Sequence, residues 1–259
     1  MFSLQNRCAL VTGGGRGIGR AIAVALARAG AKVGITARTQ AELENVLHTI
    51  QQNGGQALAI AADLTAKNAP AHVLQQMTEK LGTVDILVNN AGIGSSASPN
   101  PVIEFDDDFW DLTLLLNLTV PYKLSKAVLV DMCGKRWGRI INIASINSKM
   151  PSLHGAAYTA SKHGLLGLTR TLALEVAREG ITVNAICPGP VKTVMNDKRL
   201  EYDAHRRGLT FEELERSMTP IGGRLAPEDI APLAVYLASD EARMVTGQAY
   251  NICGGVLLY

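Results

Sequence analysis

The segment Tyr158–Lys162 carries two residues whose types and spacing suit proton transfer. Tyr158 and Lys162 are four positions apart, so their side chains share one face if the segment is helical. A free tyrosine has a pKa of about 10 and is hardly ionised near neutral pH. An ammonium group close by favours the phenolate. We therefore expect Lys162 to lower the pKa of Tyr158 towards the range in which a phenol works as a general acid and base.

Two further polar residues could act with this pair. Ser145 follows an apolar run that is typical of a strand, and Asn117 falls within a long helical pattern. A serine hydroxyl can hold a substrate oxygen by hydrogen bonding without itself ionising. A Tyr/Lys pair on a helix is, taken alone, most often a surface pair. Its interpretation as catalytic therefore depends on the motifs around it.

A glycine-rich turn lies near the start of the chain, where residues 12–19 read Thr-Gly-Gly-Gly-Arg-Gly-Ile-Gly. Its key glycines, Gly13, Gly17 and Gly19, follow a strand pattern and open a helical one. Glycine lets the backbone turn sharply and lets a phosphate approach closely. The helix N-terminus then offers free N–H groups and a positive dipole end. This context predicts a dinucleotide-binding turn, in which Arg16 and Ile18 also take part.

The end of the second strand pattern indicates which dinucleotide binds. NAD sites place a carboxylate there, roughly 20 residues after the turn, to hold the ribose 2′-hydroxyl. This chain has Arg38 and Thr39 instead. A guanidinium group suits a dianionic 2′-phosphate, and Arg16 could add a second positive charge. We therefore predict that the cofactor is NADP(H), the alternative being that both arginines are merely solvated.

Six ordered motifs together resemble the short-chain dehydrogenase/reductase family over essentially the whole chain. The motifs are Thr12-Gly-x-x-x-Gly-x-Gly19, Asn89-Asn90-Ala91-Gly92, Asn117, Ser145, Tyr158-x-x-x-Lys162 and Pro188-Gly189. The resemblance implies a catalytic tetrad. In it Tyr158 is the acid and base, Ser145 polarises the carbonyl, Lys162 lowers the tyrosine pKa and holds the nicotinamide ribose, and Asn117 anchors a proton-relay water.

The same resemblance implies three further groups of cofactor contacts. Those to adenine come from Asp63 and Leu64, those beside the adenosine ribose from Asn90, Ala91 and Gly92, and those to the nicotinamide carboxamide from Pro188, Gly189, Val191 and Thr193. It also implies a homotetramer, which fits the four apolar residues at 256–259.

Strand-like and helix-like segments alternate along the chain and position these motifs. Seven short apolar runs begin near residues 8, 32, 56, 85, 139, 182 and 249, with helical patterns between most of them. This alternation predicts an α/β fold of the Rossmann type, a doubly wound parallel seven-stranded sheet with helices on both faces. We expect one domain, residues 1–259. The charged, irregular stretch Val194–Gly223 is interpreted as a substrate lid, with a plain surface excursion as the alternative.

Composition argues against several other classes of protein. The net charge is +2, and no dense basic run favours nucleic-acid binding. No apolar run reaches the roughly 18 residues that a membrane span needs, and the N-terminus lacks the pattern of a signal peptide. The four cysteines and five histidines are scattered without metal-ligand spacing. We therefore expect a cytoplasmic protein with reduced cysteines and no metal.

The resulting hypothesis is an oxidoreductase that transfers a hydride between NADP(H) and a ketone or secondary alcohol, with 3-oxoacyl thioesters among the candidate substrates. Asn147, His154 and Met195 are the candidate substrate contacts, and the pocket shows no charge cluster. Two alternatives stay open. One is an NAD-dependent polyol, sugar or hydroxy-acid dehydrogenase on the same fold, and the other is a catalytically inactive dinucleotide sensor.

Overall fold

The computed structural model describes residues 2–259, and within them seven strands form one sheet. The strands are β1 (Cys8–Thr12), β2 (Lys32–Ala37), β3 (Ala57–Ala61), β4 (Ile86–Asn89), β5 (Gly138–Ile143), β6 (Ile181–Pro188) and β7 (Ala249–Ile252). Their order is β3-β2-β1-β4-β5-β6-β7, and every neighbouring pair is parallel. The predicted doubly wound parallel sheet is confirmed.

Helices cover both faces of this sheet. They are α1 (Gly17–Arg28), α2 (Gln40–Gln52), α3 (Ala69–Lys80), α4 (Asp107–Leu114), α5 (Val120–Lys135), α6 (Ala156–Val176), α7 (Val194–Arg207), α8 (Phe211–Arg216) and α9 (Ala231–Ala238). Helices α1, α2 and α9 share one apolar core with the sheet, and α3, α5 and α6 share another on the opposite face. The strands are covered on both sides, which explains why they read as continuous apolar runs.

The long helical pattern predicted over Asp106–Cys133 is divided in the structure. Helix α4 ends at Leu114, a π-helical turn spans Leu115–Thr119, and α5 follows without leaving the helical path. Helix α6 begins at Ala156, so Tyr158 lies within its first turn rather than at its start. The strand boundaries and those of α1, α2 and α3 lie within two residues of the predicted ones, as expected for ends that fray. The last helical pattern was predicted from Pro227, but α9 begins four residues later, after a separate 3-10 turn at Pro227–Asp229.

The stretch Val194–Gly223 is not irregular, as its sequence suggested, but mainly helical. The Thr193 side chain caps α7 by accepting from the N–H of Asn196, and Thr210 forms a reciprocal cap with Glu213 at α8. Leu200, Ala204 and Leu214 are buried together in a small cluster of their own. The apolar residues were too few to show a clear helical period, yet these caps and this cluster are sufficient to order the two helices.

The strand order reverses between β1 and β4. In doubly wound sheets a crevice opens at such a point, beyond the carboxyl ends of the strands. The glycine-rich turn follows β1, Asn90 follows β4, and Ser145 follows β5 closely. The topology therefore brings three of the predicted motifs to one edge of the sheet.

Gly19 holds the turn against the sheet and provides a test of this packing. A Cβ atom placed on Gly19 would collide with the carbonyl oxygen of Gly13 and the side-chain amide of Asn90. We expect Gly19→Ala to lower the free energy of unfolding by about 1–3 kcal/mol, as overpacking usually does. The control is Gly134→Ala in α5, where nothing lies within 4 Å; that change should stabilise the protein by about 0.5–1 kcal/mol. Urea unfolding measures both, and equal stabilities would contradict the packing argument.

Candidate active site

Helix α6 carries Tyr158 and Lys162 one turn apart, as predicted. Lys162 is only 5% exposed, and its ammonium group donates a hydrogen bond of 2.7 Å to the carbonyl oxygen of Ile143 at the end of β5. Its Nζ atom lies 5.7 Å from the centre of the Tyr158 ring. The helix therefore presents both side chains to the carboxyl end of β5.

Ser145 is fixed at that same end of the strand. Its Oγ atom accepts a hydrogen bond of 3.0 Å from the N–H of Asn147, and its own N–H donates to the hydroxyl of Ser148 at 3.2 Å. The two contacts form a reciprocal cap on a short turn, Ile146–Ser148. The serine hydroxyl also contributes a hydrogen bond that lowers the pKa of Tyr158. Ser145, Tyr158 and Lys162 are thus brought together.

The pKa of Tyr158 corrects one expectation. Burial raises the pKa of the phenol above its ordinary value, and this effect outweighs the hydrogen bond from Ser145. Burial also lowers the pKa of Lys162 to about 8. The raised pKa of Tyr158 is opposite in direction to the expectation, since residue spacing gives no measure of how deeply a side chain is buried. The effect of the Lys162 charge on the phenolate stays a prediction.

Asn117 lies in the π-helical turn between α4 and α5, a feature that often marks functional sites. Its side-chain oxygen accepts from the N–H of Ile93 at 2.8 Å, and its amide donates to the Ile93 carbonyl at 2.9 Å and to Ser161 Oγ at 3.1 Å. Ser161 in turn donates to the carbonyl of Tyr158 at 2.7 Å. The side chain of Asn117 therefore joins the turn to α6, and a relay water would have to bind to its main chain.

Ser161 was not among the predicted site residues, although its spacing could have revealed it. It stands between Tyr158 and Lys162 and is fully buried. A hydroxyl three residues after Tyr158 on a helix lies on the same side as the catalytic pair. The contact with Asn117, which is 44 residues away in the chain, required the structure.

The glycine-rich turn is held to β4 by Thr12 and Asn90. The hydroxyl of Thr12 accepts from the N–H groups of Asn90 at 2.9 Å and Ala91 at 3.0 Å. The Asn90 amide donates to the carbonyls of Thr12 at 2.8 Å and Gly13 at 3.1 Å. Asn90 therefore shapes the turn, and Ala91 lies beside it.

The turn has the properties of a dinucleotide site. Gly13 and Gly17 have φ values of 63° and 53°, in the left-handed region that favours glycine. Arg16 occupies the N-cap position of α1, but its side chain makes no capping hydrogen bond to the helix. The first turn of α1 contains no acidic residue. The N–H groups and positive dipole end of this helix are thus available to a phosphate. A Cβ on Gly17 would lie 3.1 Å from the methyl group of Thr193, so the predicted nicotinamide loop faces the turn.

Arg38 and Arg16 differ in their surroundings. Arg38 is exposed just beyond β2 and makes no ion pair within residues 2–259. Its charge helps to lower the pKa of Asp63, after the two hydrogen bonds from Thr65, so the two groups lie near one another at the predicted adenosine end. Arg16 pairs with Glu42 at 3.2 Å, and its side chain is 65% exposed. Arg38 is therefore the freer of the two charges. Its neighbour Thr39 occupies the N-cap position of α2, but the threonine side chain makes no capping hydrogen bond.

The remaining predicted cofactor residues serve partly as packing. Leu64 is buried in the core, so a contact to adenine would have to come from its main chain. Gly92 lies against Asn117, since a Cβ there would be 3.1 Å from the asparagine oxygen.

On the predicted nicotinamide side, Gly189 donates its N–H to the carbonyl oxygen of Ile252 at 2.8 Å and leaves no room for a side chain beside Cys253. Val191 is buried and pairs with Leu225. Pro188 ends β6, and Ile18 packs on the core in α1.

Two of the candidate substrate residues, His154 and Met195, meet elements that the sequence did not connect. His154 shares a hydrogen bond of 2.6 Å with the Tyr202 hydroxyl on α7, and its φ of 56° is left-handed. The Met195 side chain packs on Gly94. Arg199 of α7 donates to the carbonyl of Leu153 at 2.8 Å and to Ser95 Oγ at 3.2 Å. One face of α7 is thus fastened to the loops around residues 95 and 153.

Asn147, the third candidate, stays at the catalytic turn. Besides its contact with Ser145, its side-chain amide donates to the carbonyl of Pro151 at 3.3 Å. Arg199 and Tyr202 were missed because they stand in the polar stretch whose helices the sequence did not reveal.

The model of the short chain dehydrogenase family matches residues 7–203, about three quarters of the chain. The chain belongs to the short-chain dehydrogenase family. It is 40% identical to a 3-oxoacyl-acyl-carrier-protein reductase of Pseudomonas aeruginosa, with 99% of this chain and 100% of the relative covered. Two solved structures are similar. A variant of the actinorhodin polyketide ketoreductase with NADPH has a TM-score of 0.93, 36% identity and full coverage of both chains. A candidate NAD(P)-dependent gluconate 5-dehydrogenase from Beutenbergia cavernae with bound NADP has a TM-score of 0.88, 41% identity and 98% and 97% coverage.

Membership of this family makes the protein an oxidoreductase that acts on alcohol and carbonyl groups with a nicotinamide dinucleotide. Among the helices of residues 2–259, none is long and apolar enough to cross a membrane. The same residues contain no cluster of three or more histidine, cysteine, aspartate or glutamate side chains that could hold a metal ion.

The buried ammonium group of Lys162 predicts a pH-dependent stability. Its pKa is about 8 in the folded chain against 10.5 when unfolded, so the unfolded state binds more protons between these values and stability rises with pH across that window. Lys162→Met removes this cost, on the order of 3 kcal/mol below pH 8. We expect the variant to exceed the wild type in stability by more at pH 7 than at pH 10. Urea unfolding at the two pH values measures this, and a pH-independent difference would contradict it.

Proposed function

We propose that this short-chain dehydrogenase interconverts a ketone and a secondary alcohol with NADP(H), through a tetrad of Asn117, Ser145, Tyr158 and Lys162. The observation that carries the proposal is the convergence of Ser145, Tyr158 and Lys162 at the carboxyl end of β5, with the glycine-rich turn on the same edge of the sheet. The cofactor supplies or accepts the hydride when bound. Ser145 and Tyr158 handle the substrate oxygen and its proton, and Lys162 and Asn117 support them.

In carbonyl reduction the phenol acts as the proton donor, and in alcohol oxidation the phenolate takes the proton back. Ser145 donates a hydrogen bond to the substrate oxygen, and Tyr158 delivers a proton to that oxygen as negative charge develops on it. Burial raises the tyrosine pKa, so the phenol remains protonated and available as a donor near neutral pH. Lys162 is buried beside it with a pKa of about 8, so it can exchange a proton in the same pH range. Asn117 contributes by holding α6 through Ser161 and, at its main chain, a relay water.

NADP(H) is the proposed cofactor because Arg38 stands free where an NAD site would carry a carboxylate. Asp63 lies opposite it, at the position proposed for the adenine. The similar structures named above, which hold NADPH and NADP, support this choice. Arg16 contributes less to the preference, because Glu42 already neutralises it.

A neutral ketone or a 3-oxoacyl thioester is the proposed substrate. The guanidinium group nearest to the candidate substrate loops, that of Arg199, makes two contacts of 2.7 and 3.2 Å with the Asp203 carboxylate. Its charge is therefore balanced, so this guanidinium group does not call for an anionic substrate. The similar 3-oxoacyl-acyl-carrier-protein reductase and polyketide ketoreductase support the same class. A sugar-acid dehydrogenase is the second candidate, favoured by the similar candidate gluconate 5-dehydrogenase.

We also propose that residues 1–259 act as one domain and assemble as a homotetramer in the cytoplasm. Leu258 and Tyr259 are 89% and 77% exposed, as are Ile221 and Met244 at 83% and 85%. Such exposed apolar side chains favour a partner surface. All four cysteines are free, which suits a reducing compartment.

Tyr158→Phe tests the mechanism. The change keeps the ring and deletes the proton donor, so turnover of NADPH with a panel of ketones should fall by at least about 10²-fold. Cofactor affinity, measured by fluorescence titration, should hardly change in this variant. Lys162→Ala should reduce both turnover and cofactor affinity.

The control is Tyr236→Phe in α9, which deletes a comparable hydroxyl on the other face of the sheet and should leave turnover unchanged. Full activity of Tyr158→Phe would refute the assignment, and a wild type inactive on every carbonyl would favour the dinucleotide sensor.

Arg38→Asp tests cofactor selection. A charge-assisted contact to the 2′-phosphate contributes about 1.5–3 kcal/mol, which corresponds to roughly 10- to 150-fold in affinity. The aspartate would repel that phosphate and accept a hydrogen bond from the NAD ribose, so the preference should reverse. Arg28→Asp, at the far end of α1, makes the same change of net charge and should not alter the ratio. The measurement is the ratio of dissociation constants for NADP and NAD in each protein. A variant that still prefers NADP would show that Arg38 does not face the phosphate.

Residues 194–223 are the proposed substrate lid, because α7 follows the nicotinamide loop and one face of it rests on the loops around residues 95 and 153. Hydrogen exchange followed by mass spectrometry should show faster exchange of α7 in the free protein and protection once cofactor and substrate are bound. Peptides from α9 serve as the internal reference. Unchanged exchange in α7 would mean that this segment is a fixed part of the surface.

A further inference from the structure

Helix α6 must be held in one position along β5, because Tyr158 and Lys162 act only where they meet Ser145 and Ile143. Much of its contact with the sheet is apolar, through Leu165, Leu166, Leu172 and Ala173. Apolar packing is non-directional. It favours burial of the helix but does not by itself select one axial position.

A chain of buried hydrogen bonds supplies the missing direction. Asn89 of β4 donates to the side-chain oxygen of Asn142, its register partner in β5, at 2.9 Å. Asn142 donates to the hydroxyl of Thr169 on α6 at 2.8 Å. Asn89 also donates to Ser125 Oγ on α5 at 3.3 Å. These four side chains, which we term the polar spine, are all at most 2% exposed.

The polar spine joins the elements that carry the candidate active site. Asn142 directly precedes Ile143, whose carbonyl accepts the Lys162 hydrogen bond, and Asn89 directly precedes Asn90. Thr169 lies seven residues after Lys162 and eleven after Tyr158 on one unbroken helix. At 1.5 Å per residue these separations are about 10 and 16 Å. A displacement of α6 at Thr169 is therefore carried to both catalytic side chains.

We propose that Asn142 and Thr169 are positioning residues that set the axial register of α6 against β5. Replacing a buried hydrogen-bonded pair by apolar side chains of similar size is often nearly neutral for stability. Stability alone therefore does not require this pair, whereas a directional contact specifies a register. A misplacement of 1 Å can reduce a rate about 10²-fold. The inference rests on the proposed function, since it concerns the geometry of that same tetrad.

The experiment compares three variants of Thr169. Thr169→Val keeps the shape and removes the hydroxyl, so kcat should fall about tenfold while the dissociation constant of NADPH stays within about twofold. Thr169→Ser keeps the hydroxyl and should retain most of the wild-type kcat. Thr169→Ala lacks the hydroxyl, so its kcat should be close to that of Thr169→Val. The inference is wrong if Thr169→Val retains full kcat, or if Thr169→Ser loses as much kcat as Thr169→Val.

A core variant separates positioning from stability. A comparable loss of kcat in a variant that is destabilised elsewhere in the core would show a merely structural role for Thr169. Val46→Ala, in the core on the opposite face, should lower the melting temperature without a comparable loss of kcat. If Tyr158→Phe is fully active, the proposed function fails; if Tyr158→Phe is inactive and Thr169→Val is unimpaired, only this inference fails.

Discussion

The contact on which the candidate site depends is the hydrogen bond from the Lys162 ammonium group to the carbonyl oxygen of Ile143. It joins α6 to the end of β5, just before Ser145, and it does so where water is almost excluded. An ammonium group is costly to bury, so its surroundings must compensate with well-placed acceptors. The lowered pKa of Lys162 shows that the compensation is incomplete. The same burial raises the pKa of Tyr158, and so one contact connects the packing of α6 with the protonation of the proposed acid.

The fold was largely predictable because its signals are local and strong. The strands are covered on both faces, and each of them except β7 carries a continuous or nearly continuous apolar run in the sequence. The glycine-rich turn was equally clear, since Gly13 and Gly17 adopt left-handed backbone conformations that few other residues tolerate. The co-location of Ser145 with Tyr158 followed from the topology and the family resemblance, because parallel strands end at the same edge of the sheet.

What the sequence did not show depends on contacts between distant residues or on burial. The π-helical turn around Asn117 adds a local widening that leaves no trace in hydrophobic periodicity. The spacing of Tyr158 and Lys162 indicated partnership, but not that both side chains would be desolvated and that the expected pKa shift would change direction. The link between Asn142 and Thr169 spans 27 residues. The sequence also left α7 unseen and indicated α8 only by a short helical pattern at Phe211, Leu214 and Met218, because the few apolar residues of these helices bury one another rather than a face of the main core.

That last arrangement has a mechanical consequence. Leu200, Ala204 and Leu214 form a buried cluster between α7 and α8, so the two helices pack on one another rather than on the main core. Their displacement would not require either helix to melt. It would change the backbone dihedral angles at the junctions, for example at Gly222 and Gly223, whose φ values of 104° and 69° lie where glycine moves most freely. Any such movement would be a rigid-body rotation, and it would have to break the contacts of Arg199 and Tyr202 at the inner face and the ion pairs of Arg224 with Asp197 and Glu215.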